Sequence, residues 1–365
     1  MIDSKSKTAY INGLKGFACI MVMLGHFIGI YKYAESFPAD SKALQLFDVF
    51  LNSKLGFLLD ESFWVILFFF VSGYLVSFSK ISDITDFIYK SVMRFVRLAL
   101  PILFASIIIF VIQESIGFHT VQTVGIFESL FVQKYYSGSI PLWQALKSPV
   151  DVLIFGKSPL CSPYWVLREM LISSILIYLL NLLKNKININ LFFAAWGIAV
   201  AVSMVFSNII FAGLFGMTLN LIQNDKERAY ISNKIFLFAV LAFSLSLFVI
   251  PRSRIAPVFF CALILIVPEI KICNFIFSCR LSQFINRISF GIYSFHWPVF
   301  CSVGMLVIIK THADLGLTVS AVFAALISAT TTLLLSFLYY HIFEKQVYKL
   351  LKHVDNIRTT KYKLS

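Results

Sequence analysis

Apolar runs alternate with short polar connections along nearly the whole chain. Ten runs predict membrane-crossing helices by their apolar length: residues 11–30, 62–79, 98–113, 165–183, 191–206, 209–222, 235–250, 255–267, 288–309 and 317–343. The shortest is 255–267, and the pair 191–206 and 209–222 also reads as a helical hairpin. The predicted fold class is all-α, a polytopic transmembrane helical bundle of about ten spans. Residues 80–101 carry a different pattern. Lys90, Arg94 and Arg97 fall at helical spacing with Phe87, Val92 and Phe95 between them. This predicts a basic amphipathic segment along the membrane surface before the third span enters at Leu98. The connection 114–164 is the longest and carries Tyr135, Tyr136 and Trp143. A loop of that length with such aromatics reads as packed and functional.

Composition supports the membrane reading. Hydrophobic residues make up 59% of the 365 and charged residues 13%, with a mean hydropathy of +0.85. A soluble chain is about 45–50% apolar and about 25% charged. The net charge of +13 does not point to nucleic acid, because the basic residues sit between apolar runs, where they set topology. With the N-terminus inside, 20 Lys and Arg fall on the cytoplasmic side and 9 on the outer side, while Lys15 and Arg168 lie within spans. Both termini are therefore expected in the cytoplasm. Residues 1–345 form the expected membrane domain and 346–365 a basic cytoplasmic tail. No cleavable signal peptide is expected, since Met1 to Lys7 is polar and the first apolar run is too long. The six cysteines lack metal-ligand spacing, and no metal is predicted.

The polar residues inside apolar runs carry the candidate chemistry. Lys15 and His26 lie in the first span, eleven residues apart. That is about three helical turns, so they share a face and stand roughly 16 Å apart along the axis. Ionisable side chains in a span are costly and commonly functional. The bland alternative is a hydrogen-bonded histidine and a lysine reaching to the headgroups. Phe68 to Leu75 places Ser72 and Gly73 in the second span, where small residues favour close helix packing. Arg94 and Arg97 sit where the chain meets the membrane, either as topology anchors or as a phosphate clamp. Arg168 and Glu169 are adjacent, so on a helix each needs another partner. His296 lies in a late span, two residues before Pro298.

Together these stretches resemble the integral-membrane acyltransferase 3 family. Its opening D-G-L-R-G, with a histidine eleven residues after the arginine, is similar to Asn12-Gly13-Leu14-Lys15-Gly16 and His26. Its F-F-x-x-S-G-[FY]-L is similar to Phe68 to Leu75, and its R-x-x-R-L to Arg94 to Leu98. A W-F-L-R-[DE]-L pattern of one branch resembles Trp165 to Met170. The late S-x-x-[IL]-Y-x-x-H-x-P resembles Ser289 to Pro298. The resemblance covers residues about 9–345. Two positions depart from it: Asn12 stands for the acid and Lys15 for the arginine, and lysine lacks the bidentate fork of arginine. No long hydrophilic C-terminal extension is expected, only the membrane part.

The resemblance implies O-acylation, usually acetylation, of a cell-surface glycan or lipid-linked sugar at a bacterial cytoplasmic (inner) membrane. The donor would be acetyl-CoA, and glycan-assembly proteins are possible partners besides the lipid bilayer; nucleic acid is not expected. His26 is the candidate general base or acyl carrier, with His296 and Glu169 as further catalytic candidates. Glu169 is a candidate to orient the His26 ring. Lys15, Arg94 and Arg97 are the candidate donor-binding residues. The competing reading is a proton-coupled transporter of a small solute or glycan intermediate, which intramembrane His, Lys and Glu also serve. A transporter more often shows halves with matching interrupted helices, and the chain shows no internal repeat. The charge asymmetry gives a first test. Reporter fusions after Asp355 should report the cytoplasm and fusions within 120–160 the outside. An external C-terminus would overturn the topology.

Overall fold

Caps, prolines and glycines set where each helix begins, bends and packs. The computed structural model describes residues 4–32, 49, 53, 56–126, 136, 138–223 and 271–364, and among these every regular element is helical. Helix α1 (Ser4–Lys32) contains the whole opening motif. Helix α2 (Glu61–Ser77) starts at Asp60, whose carboxylate accepts the Ser62 N–H at 2.9 Å. Helix α3 (Ile84–Ser115) is followed by α4 (Leu142–Leu153), a short helix in the long connection, and by α5 (Trp165–Lys184). Asn188 caps α6 (Ile189–Phe206), and a single extended residue, Ser207, separates it from α7 (Asn208–Gln223). Then come α8 (Lys271–Ser278) and α9 (Arg280–Arg287). Helix α10 (Ser289–Val299) passes through a π-helical turn, Phe300–Gly304, into α11 (Met305–Leu315). Gly316, at φ +76°, adopts the left-handed backbone that ends α11. Helix α12 (Leu317–Tyr339) then continues through a second π-helical turn, Tyr340–Glu344, into α13 (Lys345–Leu364).

Among the described residues, six helical stretches are long and apolar enough to cross a membrane: Ala9–Gly29, Ile84–Ser115, Ser162–Lys184, Ile189–Phe206, Ser289–Leu315 and Leu317–Arg358. The runs expected at 62–79 and 209–222 are the shorter apolar helices α2 and Asn208–Thr218. The runs at 235–250 and 255–267, like Tyr135, lie outside the described residues. One expectation needs correction. The basic stretch after Lys80 is not a separate surface helix that ends where a span begins. Its basic residues occupy the first turns of α3, which continues through Pro101 for 32 residues. At 1.5 Å per residue that is about 48 Å, well beyond a hydrocarbon core of about 30 Å. Pro101 has no N–H to give the Arg97 carbonyl one turn before it, yet the helix runs on through it; the Pro101 carbonyl itself accepts the Tyr339 hydroxyl at 2.8 Å, which ties α3 to the end of α12.

The chain divides into two compact units. The first comprises Met1–Val22, Asp40–Val92 and Glu169–Asn286. Here α2 and α7 meet backbone to backbone. A Cβ on Gly73 would stand 1.9 Å from the Gly213 carbonyl oxygen, and one on Gly216 2.1 Å from the Phe70 carbonyl oxygen. Ser72-Gly73 thus serves helix packing, where small residues let backbones approach. Phe192, early in α6, shares a core with Met217 and Leu221, late in α7, so these two helices fold back on each other as a hairpin. Asn181 donates to the Ser77 and Ser79 carbonyls at 3.1 and 2.9 Å, satisfying groups that the end of α2 leaves over. Gly13 and Gly16 bring α1 against Phe277 and Asn286 with no room for a side chain.

The second unit comprises Met23–Ala39, Met93–Arg168 and Arg287–Ser365. Helix α12 buries a stripe of small residues, Ser320, Ala324, Ser328, Thr332 and Ser336. Gly291 of α10 packs on Ser336, and Gly304 on Ser328. Pro298 has no N–H to give the Ser294 carbonyl one turn before it, and the Cys161 thiol donates to that oxygen instead, at 3.4 Å. Burial pushes the Cys161 thiol well above its usual range, which keeps the proton that this contact needs. In the long connection, Phe118 stacks on Tyr136 at 3.8 Å between centroids, while Trp143 on α4 is exposed. The glycine contacts of the first unit make a prediction. Gly73→Val should lower stability by about 1–3 kcal/mol through overpacking. Gly197→Val, where nothing lies within 4 Å, should cost far less. Thermal unfolding in detergent checks the order, and equal losses would contradict the close α2–α7 contact.

Candidate functional site

The second unit brings together two histidines 270 residues apart. His26 lies on α1 and His296 on α10. His296 Nε2 stands 3.1 Å from His26 Nδ1, and His296 Nδ1 stands 2.9 Å from the Ile292 carbonyl oxygen. The rings are stacked, with centroids 5.0 Å apart and planes 26° apart. His296 has no exposed surface, and His26 is half-buried.

These contacts fix the protons of the neutral pair. A carbonyl oxygen only accepts, so His296 Nδ1 carries the hydrogen and donates it to Ile292. His296 Nε2 then holds a lone pair and accepts from His26 Nδ1–H. In that state His26 Nε2 is the nitrogen left with a lone pair. The arrangement has the logic of a hydrolase triad, in which one side chain holds an imidazole in the tautomer that leaves its far nitrogen basic. Here a second imidazole, tied to its own helix, does that work.

Aromatic rings lie beside the pair. Trp297 meets the His26 ring edge-on at 6.0 Å, and Phe27 packs on Phe300 at 5.0 Å. Tyr293, with its ring 6.3 Å from that of His296, donates its hydroxyl to the Pro163 carbonyl.

The two arginines form a separate cluster in the same unit. Arg97 Nη2 lies 3.6 Å from Asp355 Oδ2 on α13, with both side chains about two-fifths exposed, at 42% and 41%. Arg94 and Arg97 are both near enough to act electrostatically on Tyr348, whose hydroxyl donates to Glu344 Oε1 at 3.1 Å. Glu344 is buried. Lys15 and Glu169 belong to the first unit. The Lys15 ammonium stands 5.0 Å from the centre of the Phe68 ring, a cation–π distance. Glu169 is half-buried on α5, and the aliphatic stem of Arg168 lies over Gly156 in the second unit.

Sequence reasoning did not anticipate Asp355, Tyr348 or Glu344. A signal was present: Asp355 is the one acid in α13, which otherwise carries Lys345, Lys349, Lys352, Arg358, Lys361 and Lys363. Nor did it pair His26 with His296, since nothing in either segment specifies the other. A family model described as an acyltransferase domain matches residues 8–341. Neither the curated proteins nor the solved structures give a match.

The pairing makes a prediction of its own. His296→Leu removes the acceptor of the His26 Nδ1–H in a partly buried site. An unsatisfied donor of that kind costs about 1–3 kcal/mol. His296→Gln offers a carboxamide oxygen near the place of Nε2 and should lose less. Thermal unfolding of both variants checks this, and a Gln variant no more stable than the Leu variant would mean the bond contributes nothing.

Proposed function

The chain belongs to the acyltransferase 3 family, which makes it a multi-pass membrane acyltransferase, and from that premise we propose that it O-acylates a sugar hydroxyl with an acetyl group from acetyl-CoA. The acceptor is a cell-surface glycan or lipid-linked sugar, and glycan-assembly proteins supply it. The setting is a bacterial inner membrane with both termini in the cytoplasm. The catalytic domain is residues 1–345, followed by the basic tail 346–365.

The observation that carries this reading is the fixed tautomer of the histidine pair. His26 Nε2 takes the proton of the acceptor hydroxyl as its oxygen attacks the thioester carbonyl carbon. The C–S bond breaks, and the departing thiolate takes that proton back from His26. Between these events His26 carries two N–H groups. Its Nδ1–H stays on His296 Nε2, whose lone pair faces the positive charge as it develops. His296 is the positioning residue in this scheme, a role first offered to Glu169 on the sequence. Glu169 has no step here.

The donor's phosphates need cations at a different place from the imidazoles. Arg94 and Arg97 provide two guanidiniums in the second unit, and guanidinium–phosphate pairs are charge-assisted and geometrically selective. Lys15 stands for the family's arginine and is proposed as a third donor-binding cation, with a point charge in place of a fork.

His26→Ala and His26→Gln should each lower acylation about 10²–10⁴-fold in membranes with matched protein levels. Glutamine keeps a hydrogen-bonding group but cannot take a proton at neutral pH. A His26→Gln variant that acylates at the parent rate would overturn the assignment.

A further inference from the structure

Arg97 already faces a carboxylate. Asp355 Oδ2 lies 3.6 Å from its Nη2, a loose separation between side chains that are both substantially exposed. Exposed pairs of this kind are weak and cost little to part. The other acid of the cluster differs. Glu344 is 3% exposed and holds the Tyr348 hydroxyl, so it is fixed in place while Asp355 sits at the rim. Two contacts hold the end of α12 and the π-helical turn that follows it against α3: Phe104 stacks on Phe343 at 4.9 Å, and the Tyr339 hydroxyl donates to the Pro101 carbonyl. Asp355 is also the single acid among six basic residues of α13, so its presence opposite Arg97 runs against the charge of its own helix.

We propose that Asp355 is a built-in competitor for the donor: it occupies Arg97 when no donor is bound and gives the guanidinium up to a phosphate group of the incoming acyl-CoA. The inference rests on the donor-binding role of Arg94 and Arg97 given above. A phosphate carries more charge than one carboxylate and more acceptor oxygens, so it displaces Asp355 from this loose pair. Anions that cannot better the carboxylate stay out. Asp355 therefore sets donor affinity, and with it the discrimination between a phosphorylated thioester and simpler carboxylates. The position of the competitor on α13 gives the basic tail a part in the donor site.

The test uses the full chain in membranes, with acetyl-CoA as the varied substrate and acetyl transfer as the readout. Asp355→Asn should lower the KM for acetyl-CoA by about two- to five-fold, the size expected for losing one exposed ion pair. Asp355→Glu keeps the carboxylate and should keep the parent KM. Arg97→Ala, measured in parallel, should raise the KM. If Arg97→Ala raises KM while Asp355→Asn leaves it unchanged or raises it, the competitor role is overturned and the donor site stands. If Arg97→Ala leaves KM unchanged, the donor-site reading fails, and the competitor role falls with it. Thermal unfolding of Asp355→Asn near the parent value shows that the KM change is not a folding defect. A KM decrease accompanied by unfolding would count against the proposal.

Discussion

A buried imidazole has two nitrogens and must satisfy both or lose stability, and in this protein that constraint organises the site. The Ile292 carbonyl takes one proton of His296, which leaves His296 a single acceptor nitrogen facing His26. Each bond in the series fixes the next. The helix fixes the carbonyl, the carbonyl fixes His296, and His296 fixes His26. Preorganisation of this kind needs no movement at the moment of reaction, which is where its catalytic value lies.

The scaffold holds α10 still enough for such a series. Gly291 and Gly304 let α10 and its π-helical turn lie directly on α12, at a distance that any side chain would enlarge. Pro298 removes one backbone bond just after His296, and Cys161 replaces it from the long connection. Tyr293 ties the same helix to the Pro163 carbonyl. Two side-chain contacts thus cluster within one turn of His296, about where a shift of the ring would break the hydrogen bond to His26. The π-helical turns at Phe300–Gly304 and Tyr340–Glu344 fit the same pattern, since such turns recur at functional places.

Much of this was legible in the residues. Apolar length located α1, α2, α3, α5, α6, α7, α10 and α12, because a span must satisfy its backbone within one helix and so writes itself as a continuous run. The costs of burying His26 and His296 flagged both as candidates for the same reason. Other features were not legible because they depend on long-range pairing. Nothing near His26 specifies His296, and nothing near Arg97 specifies Asp355, more than 250 residues later. The misreading of residues 80–101 has a local cause. Charge and a proline normally end a span, but α3 is long enough to carry its basic turns beyond the hydrocarbon and to keep Pro101 inside it.

The positions of two protons decide what the histidine pair can do, and nitrogen NMR of the histidine side chains measures them directly. The full chain would be labelled with ¹⁵N at histidine in detergent or lipid, with His26→Gln and His296→Gln variants used to assign the signals. At a pH where the parent protein is active, both rings should carry hydrogen on Nδ1, with His26 Nε2 unprotonated and a coupling visible across the His26–His296 hydrogen bond. A His26 ring protonated on Nε2 and bare on Nδ1 would contradict the account, because its basic nitrogen would then face His296 and not the acceptor.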